Sequence, residues 1–173
     1  MGYMKQLDFF GEGAVEAIRK NWRDTIENEG GHCPCCDRWG KINSISITET
    51  MALSLLWLSR QPTDDLGFVK VTDTAPLWVA RSRSYPALQH WGLIVKVSKS
   101  KDKNKRTEGL WQVTAKGMAF LRNQISIPKK CFVYDKGIEG YSAEEVYFAD
   151  CFGKQFVYAE VMADTFNLNN IKE

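Results

Sequence analysis

Apolar positions along the chain follow two periods, and their alternation predicts the elements. Val15, Ile18, Trp22 and Ile26 recur at spacings of three and four, with Glu16, Arg19, Lys20, Arg23 and Asp24 largely on the other faces. That spacing predicts an amphipathic helix over residues 14–27, ended by Gly30-Gly31. Ile47, Met51, Leu55 and Leu58, with Ala52 and Leu56 beside them, predict a second helix with a wide apolar face. Ser46 followed by Glu49 has the form of a capping box for its start, Gln61-Pro62 stops it, and Thr63-Asp64-Asp65 reads as a turn. Phe68-Val69-Lys70-Val71 is short and extended. Leu77, Trp78 and Val79 then sit in a short helix with Pro76 in its first turn and Asp73 or Thr74 as cap.

The next stretch, Ser84-Tyr85-Pro86-Ala87-Leu88-Gln89-His90-Trp91, carries a serine cap, a first-turn proline and helical apolar spacing. Gly92 is placed to end that helix, and Leu93-Ile94-Val95 changes at once to a strand. Residues 96–106 are polar, with Val97 the one bulky apolar side chain, and Gly109-Leu110-Trp111-Gln112-Val113-Thr114 returns as a second strand. The two strands predict a hairpin, after which Thr114-Ala115-Lys116-Gly117 opens a helix with Met118, Phe120 and Leu121. Trp91 and Trp111 are expected to pack against each other's elements, and the six tryptophans read mostly as core. Ile125-Ser126-Ile127-Pro128 and Cys131-Phe132-Val133-Tyr134 read as short strands. Ser142 with Glu145 offers another capping box and a helix over residues 143–151, ended by Gly153. The fold class expected is α+β.

Composition narrows this picture. A chain of 173 residues, 44% hydrophobic and 25% charged, can fill one core with small appendages and is not wholly disordered. Its longest apolar runs, such as Leu55-Leu56-Trp57-Leu58, are too short to cross a bilayer, and the opening residues lack the pattern of a signal peptide. A soluble protein without a membrane partner is expected. The net charge of +2 hides a segregation: residues 1–65 carry −3, residues 66–130 carry +10, and residues 131–173 carry −5. A basic centre between acidic ends suggests a polyanion-facing surface.

Five cysteines, an odd number, argue against a disulfide framework. Cys33 and Cys36, with Pro34 between, have the spacing of one half of a zinc knuckle, in which a turn brings two thiolates to one ion. His32 and Cys35 are the nearest further ligands, and Asp37, His90, Cys131 or Cys151 can arrive only by folding. No second Cys-x-x-Cys exists, so zinc competes with a tight turn bearing free thiols. Cys131 and Cys151 stand alone, as buried small hydrophobes do. Catalytic signatures such as Gly-x-Ser-x-Gly, the phosphate-cradling glycine loop and His-Glu-x-x-His do not occur, so no enzyme is expected.

The order of helix, extended piece, two short helices and basic-tipped hairpin resembles a winged helix-turn-helix domain. The resemblance rests on Leu88-Gln89-His90-Trp91-Gly92-Leu93-Ile94 and on Gly109-Leu110-Trp111-Gln112-Val113-Thr114-Ala115-Lys116-Gly117. The whole chain is also similar to a group of uncharacterised bacteriophage proteins with a Cys-Pro-x-Cys knuckle, a Trp-Gly-Leu-Ile segment and an Ile-x-Ile-Pro-Lys stretch. Here these read Cys33-Pro34-Cys35-Cys36, Trp91 to Ile94, and Ile125-Ser126-Ile127-Pro128-Lys129. The resemblance implies an N-terminal helix and zinc-knuckle-like turn over residues 1–45, a winged-helix core over 46–124 and a small acidic α/β extension over 125–173. It also implies the cytoplasm of an infected bacterium.

Two functions follow as expectations. In the first, the protein binds double-stranded DNA and regulates transcription, as a homodimer whose interface the sequence does not identify. Arg81, Arg83, Ser84 and Gln89 lie at or near a recognition helix that can read base edges. Lys96, Lys99, Lys101, Lys103, Lys105 and Arg106 on the wing reach phosphates. In the second, the same scaffold docks onto a host polymerase, nuclease or defence complex, and the acidic ends offer surface to a basic partner.

Overall fold

The computed structural model describes residues 12–97, 109–153 and 157–163. Its helices are α1 (Glu12–Asn28), α2 (Glu49–Ser59), α3 (Val71–Thr74), α4 (Leu77–Ser82), α5 (Ala115–Leu121) and α6 (Tyr158–Met162), with 3-10 turns at Tyr85–Trp91 and Ala149–Cys151. Its strands are β1 (Gly31–His32), β2 (Trp39–Gly40), β3 (Asn43–Ser46), β4 (Val69–Lys70), β5 (Ile94–Lys96), β6 (Leu110–Val113), β7 (Ile127–Pro128), β8 (Lys130–Tyr134), β9 (Gly137–Tyr141) and β10 (Glu145–Val146). The fold is α+β. Two compact units divide it: Met1–Ser44 with Phe132–Gly140, and Ile45–Cys131 with Tyr141–Glu173.

In the first unit the apolar stripe of α1 buries at its C-terminal end. Ile26 is buried and Trp22 half-buried, whereas Val15 and Ile18 stay exposed. Trp22 lies against Gly40 of the antiparallel β1–β2 hairpin, where a Cβ would stand 2.8 Å from its Cζ2. Bulk on the helix therefore requires its absence on the strand. Gly30 closes α1 with φ +80°, and its N–H donates to the Thr25 carbonyl at 2.9 Å. Asp135 and Lys136, with φ 44° and 69°, form the two-residue turn that joins β8 to β9.

In the second unit α2 is the core element. Met51, Ala52, Ser54, Leu55, Leu56, Trp57 and Leu58 are all buried, so this helix is apolar nearly all round. Its cap is Thr48, whose Oγ accepts the Met51 N–H at 3.3 Å. Ser46, the residue expected there, belongs to β3. Strands β4, β6 and β5 form an antiparallel sheet in that order, so the hairpin expected between Leu93 and Val113 is present, pairing Ile94 with Val113 and Lys96 with Trp111.

Three further expectations are corrected. Asp73 and Thr74 fall inside the one-turn helix α3, and Pro76 itself occupies the cap position of α4. Ser84 stands at the cap position of the next element, with Pro86 in its first turn as expected, but its side chain makes no capping bond and the element is no α-helix. The stretch after it is a seven-residue 3-10 turn, because Tyr85, Leu88 and Trp91 recur at intervals of three and share its inward face. Residues 143–148 form no helix either, and only Ala149–Cys151 make a 3-10 turn. Val146 and Phe148 are buried between exposed Glu145 and Tyr147, the period of a strand, and β10 pairs with β7. The Ser142 hydroxyl, free of any capping duty, accepts the Lys130 N–H at 3.0 Å.

Candidate nucleic-acid interface

The expected site lies on the second unit, and its geometry begins with Thr114. Its Oγ1 accepts the Gly117 N–H at 3.0 Å, capping α5, and donates to the Gly92 carbonyl at 2.6 Å. One hydroxyl thus ties the end of the 3-10 turn to the start of the next helix. Gly117 allows the two to close: a Cβ there would lie 2.2 Å from the Leu93 carbonyl oxygen. Gly92 has φ +70° and its N–H reaches the Gln89 and Leu88 carbonyls, so the helix-ending role expected of it holds. Behind it, Trp91 is buried and its Nε1–H donates to the Pro128 carbonyl at 2.7 Å.

On this frame Arg81 occupies the last turn of α4 and is exposed. Arg83 follows in the left-handed region, φ 48°, also exposed, and lines a cleft of about 330 Å³ with Val71, Thr72, Tyr85 and Pro86. Ser84 is half-buried and its Oγ donates to the Ser82 hydroxyl at 3.2 Å. Gln89 is exposed between the buried Leu88 and Trp91. Lys96 is exposed on β5 with its Nζ 5.7 Å from the centre of the Trp111 ring, and Trp111 in turn meets Tyr85 edge-on at 5.6 Å. The hairpin tryptophan therefore packs on the 3-10 turn, as expected, while Trp91 turns to Pro128. Lys99, Lys101, Lys103, Lys105 and Arg106 lie outside the described residues.

Not every cation of this segment is available. Lys70 pairs with Asp73 at 2.6 Å and holds that carboxyl below its ordinary range, with help from the Thr72 hydroxyl. Lys129 pairs with Glu144 at 2.8 Å.

The cysteine turn belongs to the first unit. The Cys33 N–H donates to the Arg38 carbonyl at 2.9 Å and the Asp37 N–H to the Cys33 carbonyl at 2.8 Å, closing a tight loop between β1 and β2. Asp37 takes φ 57° to make it. The backbone amides of Cys35 and Cys36 point at the Cys33 sulfur and pull its pKa below the ordinary thiol value. His32 Nδ1 donates to the Asp37 carbonyl at 2.8 Å, which leaves Nε2 as the ring nitrogen facing away from that bond. Among the described residues no group of three or more His, Cys, Asp or Glu is arranged to hold a metal ion. Cys131 is fully buried and Cys151 half-buried, and burial raises both thiols, Cys151 to about 12.

Sequence reasoning passed over one side chain, Trp39, which is 56% exposed and borders the cysteine turn. Among the described residues no helix is long and apolar enough to cross a membrane. Comparison with protein-family models, with curated proteins and with solved structures found no match.

Proposed function

We propose that this is a phage-encoded nucleic-acid-binding protein whose second unit engages double-stranded DNA through a winged-helix-like surface and performs no catalysis. One observation carries the reading. The segment with a balance of +10 presents Arg81, Arg83, Gln89 and Lys96 on exposed positions of three successive elements, and the chain between β5 and β6 adds five more cations by sequence. Cations gathered on such a surface neutralise phosphates and release counterions. Lys96 and Arg83 would contact backbone, and Gln89 would reach a base edge. The 3-10 geometry leaves Gln89 exposed while its neighbours Leu88 and Trp91 are buried, so base reading is narrow and phosphate contacts dominate.

The test is the affinity of the full chain for random-sequence duplex at two salt concentrations. Binding is expected to weaken roughly a thousandfold between about 50 and 200 mM salt. Replacing Lys99, Lys101, Lys103 and Lys105 by Ala should make the logarithmic slope shallower by roughly 3 to 4. Failure of duplex to bind at low salt overturns the reading.

We also propose that Cys33 and Cys36 supply two thiolates to a zinc ion, with His32 Nε2 and Cys35 drawn in as the remaining ligands. Support comes from the amides aimed at Cys33 and from the Nδ1 bond of His32, the second-shell arrangement that orients a metal-binding imidazole. Protein purified without chelator should carry close to one zinc per chain.

A further inference from the structure

We infer that the cleft beside Trp39 in the first unit is a binding site for one unpaired nucleotide of a single-stranded nucleic acid, its base stacked on the indole. The inference begins from an anomaly of burial. A tryptophan ring is ordinarily well covered, yet Trp39 leaves 56% of its surface in solvent. The ring is nonetheless held in place. Gly30, at φ +80°, lies so close that a Cβ on it would stand 2.8 Å from Cζ2, and His32, opposite Trp39 in the hairpin register, meets the indole edge-on at 5.2 Å. An exposed aromatic face that is fixed before any ligand arrives has little side-chain freedom left to lose on binding.

Around it lies a cleft of about 310 Å³, at the small end of ligand sites. Its lining is suited to a nucleotide. Arg38 and Lys41 flank the indole in sequence, both are exposed, and among the described residues neither has a carboxylate within ion-pair distance. They provide for the phosphate. Gly40 contributes a floor without a side chain, backed by Trp22 and by the Tyr134 hydroxyl, which a Cβ would meet at 3.1 Å. The Asn43 amide and the Asp135 carboxylate complete the rim and can pair with polar groups on a base edge. An aromatic platform beside cations is how proteins hold single strands, since every base has a face to stack and every linkage a charge. A duplex keeps its bases stacked on each other and offers nothing to this platform. The site is thus distinct from the duplex surface proposed for the second unit.

The experiment uses the full chain carrying Lys99, Lys101, Lys103 and Lys105→Ala, which removes most of the hairpin's attraction for any strand. The probe is a mixed-sequence single strand of twelve nucleotides with one 2-aminopurine, whose fluorescence falls when it stacks. Binding with quenching is expected. Trp39→Ala should weaken binding roughly 5- to 150-fold and abolish the quenching, while Trp39→Phe should restore part of both. Arg38→Ala with Lys41→Ala should leave the quenching at saturation but make the salt slope shallower by roughly 1.4. Absence of single-strand binding overturns the inference. So does Trp39→Ala binding and quenching like its parent. Duplex binding by the unmutated chain is measured alongside, so failure here and failure of the second unit's reading are separate outcomes.

Discussion

Gly117 and Gly92 make different demands although both stand at junctions of the same hairpin. At Gly117 a Cβ would press on the Leu93 carbonyl at 2.2 Å, and backbone has nowhere to retreat. At Gly92 nothing lies within 4 Å, and only the left-handed φ of 70° resists a side chain. Gly92→Ala is therefore expected to cost about 1 kcal/mol, and Gly117→Ala about 2 kcal/mol or more, in urea unfolding of the full chain. A reversal of that order would mean that α5 slides freely along β5. Cys151 makes a second residue-scale prediction. Its thiol is held up to about 12 by burial and by the neighbouring Asp150 carboxylate. The unfolded chain ionises near the ordinary thiol value, so above that pH the unfolded state loses a proton that the folded state keeps. The stability contribution is complete below about pH 8.5 and is lost as pH rises toward 12. Denaturation followed from pH 8 to 11 should show the decline, and Cys151→Ala should lessen it, the buried Cys131 thiol keeping its own share.

Between elements, single polar contacts carry much of the organisation. Trp91 Nε1–H reaches the Pro128 carbonyl from inside the core, tying the 3-10 turn to β7. Trp91→Phe would leave that carbonyl without this donor, for a loss of about 1–3 kcal/mol in thermal or urea unfolding. Elements with purely local causes were legible in the sequence. Thr114 before Ala115, Gly92 after Trp91 and the alternation across the hairpin each act within a few residues. The failures have distant causes. Ser142 and Glu145 match a capping box, yet β7 claims Glu145 and Val146 as a partner strand from some eighteen positions upstream. Ser46 loses its role to Thr48 because β3 continues through it. The exposure of Arg81, Arg83 and Lys96 was legible because charge seeks solvent in any fold. Trp39 was not, since only the close approach of Gly30 distinguishes a displayed indole from a buried one.

At the scale of the molecule the proposed sites lie on different units, and this separates their energetics. Replacing Cys33 and Cys36 by Ser should remove bound zinc and lower the melting temperature of the full chain, with the salt slope for duplex unchanged. Metal analysis, calorimetry and duplex titration on the same sample check all three. A change in the slope would show that the two units act as one surface. The route of the chain has a further effect. The first unit takes Phe132–Gly140 from beyond the whole of Ile45–Cys131. On a ribosome, α1 and the cysteine hairpin emerge early but cannot be completed until about a hundred further residues have been made. The later unit, with α2 and the β5–β6 hairpin in one continuous stretch, can collapse while they wait. Vectorial synthesis thus leaves Cys33, Cys35 and Cys36 waiting as thiols for that interval, while the second unit itself closes last, when Tyr141–Glu173 brings β10 to β7.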